Sequence, residues 1–235
     1  MSDSTADYKI EWDKLPDDFP MEEEEGEDLD RSLLAGALSE ILELADMLQG
    51  RELAAFKLGL AATINGQTVI KAPDWLYVTS VLPIAPQEVR RSYTPYAEGE
   101  LPAVVMEFLC NTRGEQYSIK PSYPPGKWFF YEQILHINSY VIFDPISGVL
   151  EVYQLDEFGR YRLQATTTNN RYWIPGVGLF LGLWQGTKQN RTGYWLRWWD
   201  ENGQMLLWGV ELVAQERKRA EQLAEQLRAA GLEPE

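Results

Sequence analysis

Histidine and cysteine are almost absent from this 235-residue chain, which holds one of each, His136 and Cys110. A lone cysteine cannot form an internal disulfide, so the fold does not depend on an oxidising compartment. A lone histidine excludes His-rich zinc sites and argues against a Ser-His-Asp hydrolase. Long apolar runs are missing too. The longest, 101–110 and 176–184, fall short of the roughly 20 residues that a membrane-spanning helix needs. The opening MSDSTADYKIEW lacks the basic and apolar regions of a signal peptide. Together these absences predict a cytoplasmic protein with no membrane partner.

Positive charge is scarce: 21 Lys and Arg against 36 Asp and Glu give a net charge of −15. The deficit is concentrated in residues 1–30, which hold 13 acids and 2 bases and leave a net of −4 for the rest. No long basic patch advertises strong non-specific nucleic-acid binding. The run EEEEGEDLD has little to bury, so residues 1–30 are expected to form a disordered, solubilising tail. An electrostatic gate over a basic site is the alternative. A composition of 45% hydrophobic and 24% charged residues excludes a wholly disordered, collagenous or coiled-coil chain.

From residue 31 the pattern changes. Leu33, Leu34, Ala37, Leu38, Ile41, Leu44, Ala45 and Leu48 recur at helical spacing, and Gly50 supplies a stop. A second helix-like stretch, ELAAFKLGLAATI, ends near Asn65-Gly66. TVIKAPDWLYVTSVLP reads as extended chain, with Pro73 confining it to an edge or bulge. LPAVVMEFLC is a strand buried on both faces. A polar, Pro/Gly-rich loop over 111–126 leads into a helix, KWFFYEQILH, and then a strand, SYVIFDP. This strand–helix–strand order predicts a βαβ-like unit in a mixed sheet. A hairpin across Asp156–Gly159 follows, then Trp-rich strands with a turn signal at Asn202-Gly203. The tryptophans are read as core packing rather than as stacking platforms. Residues 31–210 thus form the domain, and 211–235 a charged helix that docks on it, pairs with a partner or protrudes.

Without His or Cys ligands, the accessible chemistry belongs to carboxylates, lysines and a hard metal ion. Three placements are locally unfavourable. Asp74 opens an apolar strand, Glu107 interrupts VVMEFLC, and Lys127 lies in a first helical turn where the macrodipole disfavours a cation. Such violations concentrate at functional sites. Each also has a structural reading: a turn bond for Asp74, an edge position or a pair with Lys127 or Arg113 for Glu107, and a solvated cation for Lys127. Tyr131 lies one turn beyond Lys127 on the same helix face, in reach of a phosphate or of the lysine's partner. His136 reads as a helix-end residue, Cys110 as packing and Asp144 as a turn former.

The ordered stretches KAPDWLYV, VVMEFLC, GKWFFYEQILHINSYVIFDPISGVLEVYQL and RYWIPGVGLFLGLWQG resemble the Uma-type family of restriction-endonuclease-like proteins, abundant in cyanobacteria. That family falls in the PD-(D/E)XK nuclease-like superfamily. The resemblance covers about residues 68–210 and is strongest in 127–154 and in the WIP…GLWQG block. It implies an α/β (α+β) fold with a central mixed β-sheet flanked by helices, and a metal site at strand ends. Asp74 matches the Asp of the PD motif and Glu107 the carboxylate of the (D/E)XK strand. Leu109 stands where the motif lysine would be, and Lys127 on the following helix matches its role. Glu40, with Glu43 as its rival, is the candidate for an auxiliary helix glutamate. The loop CNTRGEQYSIKPSY departs from the Ser-Pro-rich acidic turn of relatives.

The implied function is metal-dependent hydrolysis of phosphodiester bonds in DNA. Asp74 and Glu107 would hold Mg²⁺ (or Mn²⁺), with Lys127 assisting the attacking water and Tyr131 beside it. A homodimer is compatible with this, as many nucleases of the superfamily act as dimers. The competing expectation is a catalytically inactive nuclease fold serving as an interaction or oligomerisation module.

Overall fold

The computed structural model describes residues 8–16, 19, 29–109 and 114–229. Strand β1 (Ile10–Glu11) precedes helix α1 (Leu29–Leu44). Four strands follow: β2 (Leu53–Ala55), β3 (Gly59–Ile64), β4 (Gln67–Lys71) and β5 (Trp75–Val78). Next come β6 (Ser92–Tyr93) and β7 (Pro102–Phe108), then a short helix α2 (Lys127–Phe129) that widens into a π-helical turn, Phe130–Ile134. Strands β8 (Ser139–Phe143), β9 (Leu150–Leu155) and β10 (Tyr161–Leu163) lead to β11 (Arg171–Ile174), β12 (Leu179–Lys188) and β13 (Arg191–Trp199), and α3 spans Gly209–Ala229.

Six strands make the central sheet, in the order β10-β9-β8-β7-β5-β2. Strands β7 and β8 are parallel, and every other neighbouring pair is antiparallel. The α+β class and the mixed central sheet are therefore as expected. Alternation along β7 sorts its apolar run onto two faces. Val104, Met106 and Phe108 join one core with α1 and the Trp-rich strands; Val105 joins the other with the π-helical turn. A 16-residue helix is marginal by itself. Burial of Leu34, Leu38, Ile41 and Leu42, at roughly 1.5–3 kcal/mol each, decides the matter for α1.

The stretch ELAAFKLGLAATI is not a helix. It forms β2 and β3, with Lys57 in the left-handed region (φ 52°) between them. Its Ala and Leu residues favour a helix locally, but β2 pairs with β5 and β3 with β4, and that pairing overrides a propensity of a few tenths of a kcal/mol per residue. Asn65-Gly66, both at positive φ, form the two-residue turn of the β3/β4 hairpin. Pro73 sits in the break between β4 and β5, which belong to different sheets.

Within the segment expected to be a disordered tail, β1 pairs with β3, Tyr8 packs edge-on to Phe129 and Trp12 to Tyr96. The rest of that expectation, for residues 1–7, 17, 18 and 20–28, lies outside the described residues, as do those on Cys110 and Arg113.

Strands β11–β13 form a separate antiparallel sheet, and the β12/β13 hairpin turns at Gln189-Asn190, both left-handed. Asn202-Gly203 makes a tight turn after β13, closed by one bridge between Trp199 and Met205 rather than by a further strand. Trp195, Trp198 and Trp208 are buried, as packing residues should be. The buried Arg197 guanidinium lies 3.5 Å from the Trp208 ring centroid, and its Nη2 donates to Glu211 Oε2 at 2.7 Å. That pair and the bond from Gly209 N–H to Glu40 Oε1 (2.9 Å) fix the start of α3. No residue of α3 is buried.

Candidate active site

The parallel pair β7/β8 and the antiparallel neighbour β5 place the start of β5 beside the end of β7. Trp75 pairs with Met106, so the register carried one residue further sets Asp74 opposite Glu107. Directly opposed cross-strand positions hold their Cβ atoms about 4.5–5.5 Å apart, close enough for two carboxylates to share one cation.

Asp74 is fully buried. Its Oδ2 accepts the Phe108 backbone N–H at 2.7 Å. Its Oδ1 lies 3.3 Å from Arg31 Nη1 and 3.5 Å from Lys57 Nζ. Glu107, also buried, receives Lys127 Nζ at Oε2 (2.9 Å) and the Tyr131 hydroxyl at Oε1 (3.1 Å). Lys127 Nζ donates in addition to the Ala72 carbonyl at 3.0 Å. The four residues singled out in the sequence therefore come together. The structural reading of Glu107 as the partner of Lys127 holds within the same cluster.

Burial pushes the Glu107 carboxyl up to about 7; Lys127 pulls it down, and the Asp74 charge pushes it further up. Burial, reinforced by Glu107, holds the Tyr131 hydroxyl well above its ordinary range, so it is a hydrogen-bond donor at neutral pH.

The auxiliary-glutamate expectation is corrected. Glu40 is tied to Lys188 Nζ at 2.6 Å and to Gly209 N–H, at the root of α3. Glu43, one turn along α1, is exposed. What α1 brings to Asp74 is a cation, Arg31, joined by Lys57. Both were legible by the argument used for Lys127. Arg31 sits in the first turn of α1, where the dipole disfavours it, and Lys57 interrupts an apolar run. Asp144 is the turn former expected: its Oδ1 accepts the N–H groups of Ile146 and Ser147. His136 ends the π-helical turn in the left-handed region, exposed.

A cavity of about 130 Å³ opens beside Lys127, lined by Lys71, Lys120 and Glu115 together with Ser118 and Pro124–Gly126. A larger concavity of about 260 Å³, between Lys14 and the segment around Arg90, holds none of these site residues.

The oxygen donors of Asp74 and Glu107 suit a hard divalent cation, and Mg²⁺ is commonly held by one or two carboxylates with water and substrate oxygens completing its shell. Among the described residues no group of three or more His, Cys, Asp or Glu could hold a metal by itself. A cation here would rest on the two carboxylates, and it would compete with Arg31, Lys57 and Lys127 for them.

Fold and site together define an α+β protein with two buried carboxylates, each paired with cations, at the ends of two inner strands of a mixed sheet. No protein-family description matches the chain, and no curated protein does. Among solved structures it is similar to a proposed nuclease of DUF820 from Anabaena variabilis ATCC 29413. The identity is 16% over 61% of this chain and 69% of that one, with a TM-score of 0.35. No helix of the described residues is long and apolar enough to cross a membrane.

Proposed function

We propose that the chain is a metal-dependent nuclease hydrolysing phosphodiester bonds in DNA. The observation that supports it most is the opposition of Asp74 and Glu107 at adjoining strand ends, with Lys127 on the second carboxylate. Asp74 and Glu107 would hold Mg²⁺ or Mn²⁺, which when bound supplies a Lewis acid for the phosphoryl oxygen and a bound water of lowered pKa. Lys127 stands ready to balance the charge that builds on the phosphoryl group, as preorganised donors do in dry sites. Tyr131 is a positioning residue, since it orients the Glu107 carboxylate through Oε1. The Phe108 N–H does the same for Asp74.

The test is a calorimetric titration of Mn²⁺ into wild type and Asp74→Asn, followed by cleavage assays on DNA with Mg²⁺. Binding that vanishes in the variant, with cleavage lost alongside it, is the expected outcome. An Asp74→Asn protein that cuts DNA like wild type would sink the reading. A second reading, an inert nuclease-like core used for interaction, is favoured by Arg31 and Lys57, which already neutralise Asp74. Absence of both Mn²⁺ binding and cleavage in wild type would select it.

A further inference from the structure

The loop before α2 holds more positive charge and more exposed apolar surface than closing a chain requires. Gly126 N–H donates to the Lys120 carbonyl at 2.9 Å, which closes residues 120–126 into a ring and brings Lys120 beside Lys127. The Tyr123 hydroxyl donates to the Thr68 carbonyl at 3.3 Å and ties the ring to β4, whose last residue is Lys71. Three lysines, Lys71, Lys120 and Lys127, therefore line one cavity of about 130 Å³, with Glu115 as the acid in the lining. Lys71 and Lys120 form no ion pair among the described residues. Burial and the neighbouring charges of Lys127 and Lys120 disfavour the Lys71 ammonium, and Glu115 offsets this only in part. Tyr123 is 56% exposed and Ile119 is 70% exposed, each next in sequence to residues that line the cavity, Pro124 for the first and Ser118 and Lys120 for the second.

We propose that this loop is a strand-holding element: the lysine-lined cavity seats a backbone phosphate, and the Tyr123 ring and Ile119 receive an unstacked base. The substrate is then a nucleic-acid strand with unpaired bases. The cavity has the volume of roughly four waters in the liquid, room for one phosphoryl group among its three lysines. A cationic groove beside exposed aromatic faces is the general chemistry by which single strands are held, because every base has a π-face but only an unpaired one is free to stack. Tyr123 suits the role since its hydroxyl is anchored while its ring is open. The inference rests on the phosphodiesterase reading for the identity of the anion, and its test is independent of cleavage.

The experiment measures anisotropy of a labelled single strand, and of the same sequence as a duplex, with the full chain in EDTA over a salt series. The variants are Lys71→Met/Lys120→Met, Tyr123→Ala and, as a charge-loss control on exposed α3, Lys218→Met. Wild type should bind the strand more tightly than the duplex. The double lysine variant should lower the slope of log K against log salt by about 1.4, and Tyr123→Ala should weaken strand binding about tenfold or more. Equal affinity for duplex and strand would overturn the proposal, as would a slope in the double variant no different from that of Lys218→Met. A strand held in EDTA but never cut with Mg²⁺ or Mn²⁺ would remove the hydrolase reading and leave the strand-holding loop. Cutting indifferent to Lys71, Lys120 and Tyr123 would do the reverse.

Discussion

The Lys127 ammonium bridges Glu107 and Ala72: it lies 2.9 Å from the Glu107 carboxylate and 3.0 Å from the carbonyl two residues before Asp74. One cation thus joins the strand that carries one carboxylate to the chain segment that carries the other.

Replacing Lys127 by Met removes that bridge and leaves Glu107 buried with Tyr131 alone. Breaking a buried pair in this way costs roughly 3–5 kcal/mol when the remaining group must stay charged. Glu107 is neutral in acid, so the loss should be large at pH 8 and much smaller at pH 5. Urea unfolding at the two pH values checks this. Equal destabilisation at both would mean that Lys127 acts by packing and not by charge.

Glu107 predicts a pH dependence of stability with a definite sign. The carboxyl titrates near 4.5 in the unfolded chain and near 7 in the fold. Below pH 4.5 both states hold the proton. Between the two values the folded state keeps a proton that the unfolded state has lost, so stability falls as pH rises, by about 3 kcal/mol in all. Above pH 7 the contribution is flat. Glu107→Gln removes the titration, so its stability relative to wild type should improve by that order from pH 4.5 to 7.5. A difference between the two proteins that stays constant over this range would contradict the assignment.

Competition at Asp74 gives a third expectation. Lys57 Nζ stands 3.5 Å from Oδ1 of Asp74, one of the two carboxylates that would hold a metal. Lys57→Met withdraws a positive charge from that oxygen and should tighten Mn²⁺ binding about tenfold, equivalent to ~1.4 kcal/mol. Weaker binding in this variant would show that Lys57 supports the metal instead of opposing it.

The meeting of three charged residues was legible in the chain, as was the mixed sheet that carries them. Asp74, Glu107 and Lys127 each break a local rule, and broken rules remain visible without coordinates. Glu40 breaks none, and its partners Lys188 and Gly209 lie 148 and 169 residues away, beyond any pattern in the chain. The β2–β3 stretch was misread because Ala and Leu decide nothing by themselves once a strand partner is available. The hairpin at Gln189-Asn190 was missed since Gln is not a usual left-handed residue, whereas the conspicuous Asn202-Gly203 closes only a short turn.

Two glycine-to-alanine changes should act with opposite signs, one of them through the site. Gly36 is exposed in α1, and an added Cβ there would meet nothing within 4 Å. Gly36→Ala should stabilise by about 0.5–1 kcal/mol, because alanine loses less backbone freedom in a helix. Gly126 stands immediately before Lys127, and a Cβ there would fall 2.1 Å from the Ser118 carbonyl oxygen. That oxygen also accepts the Phe129 N–H at 3.3 Å, so it cannot retreat without disturbing the first turn of α2. Gly126→Ala should therefore cost roughly 1–3 kcal/mol, about 2–4 °C in Tm for each kcal/mol in a chain of this size. It should also shift Lys127 off Glu107 and reduce any Mn²⁺-dependent activity. Calorimetry on both variants checks the pair of signs. A Gly126→Ala protein as stable and as active as wild type would mean that the loop is not held against Ser118 in solution.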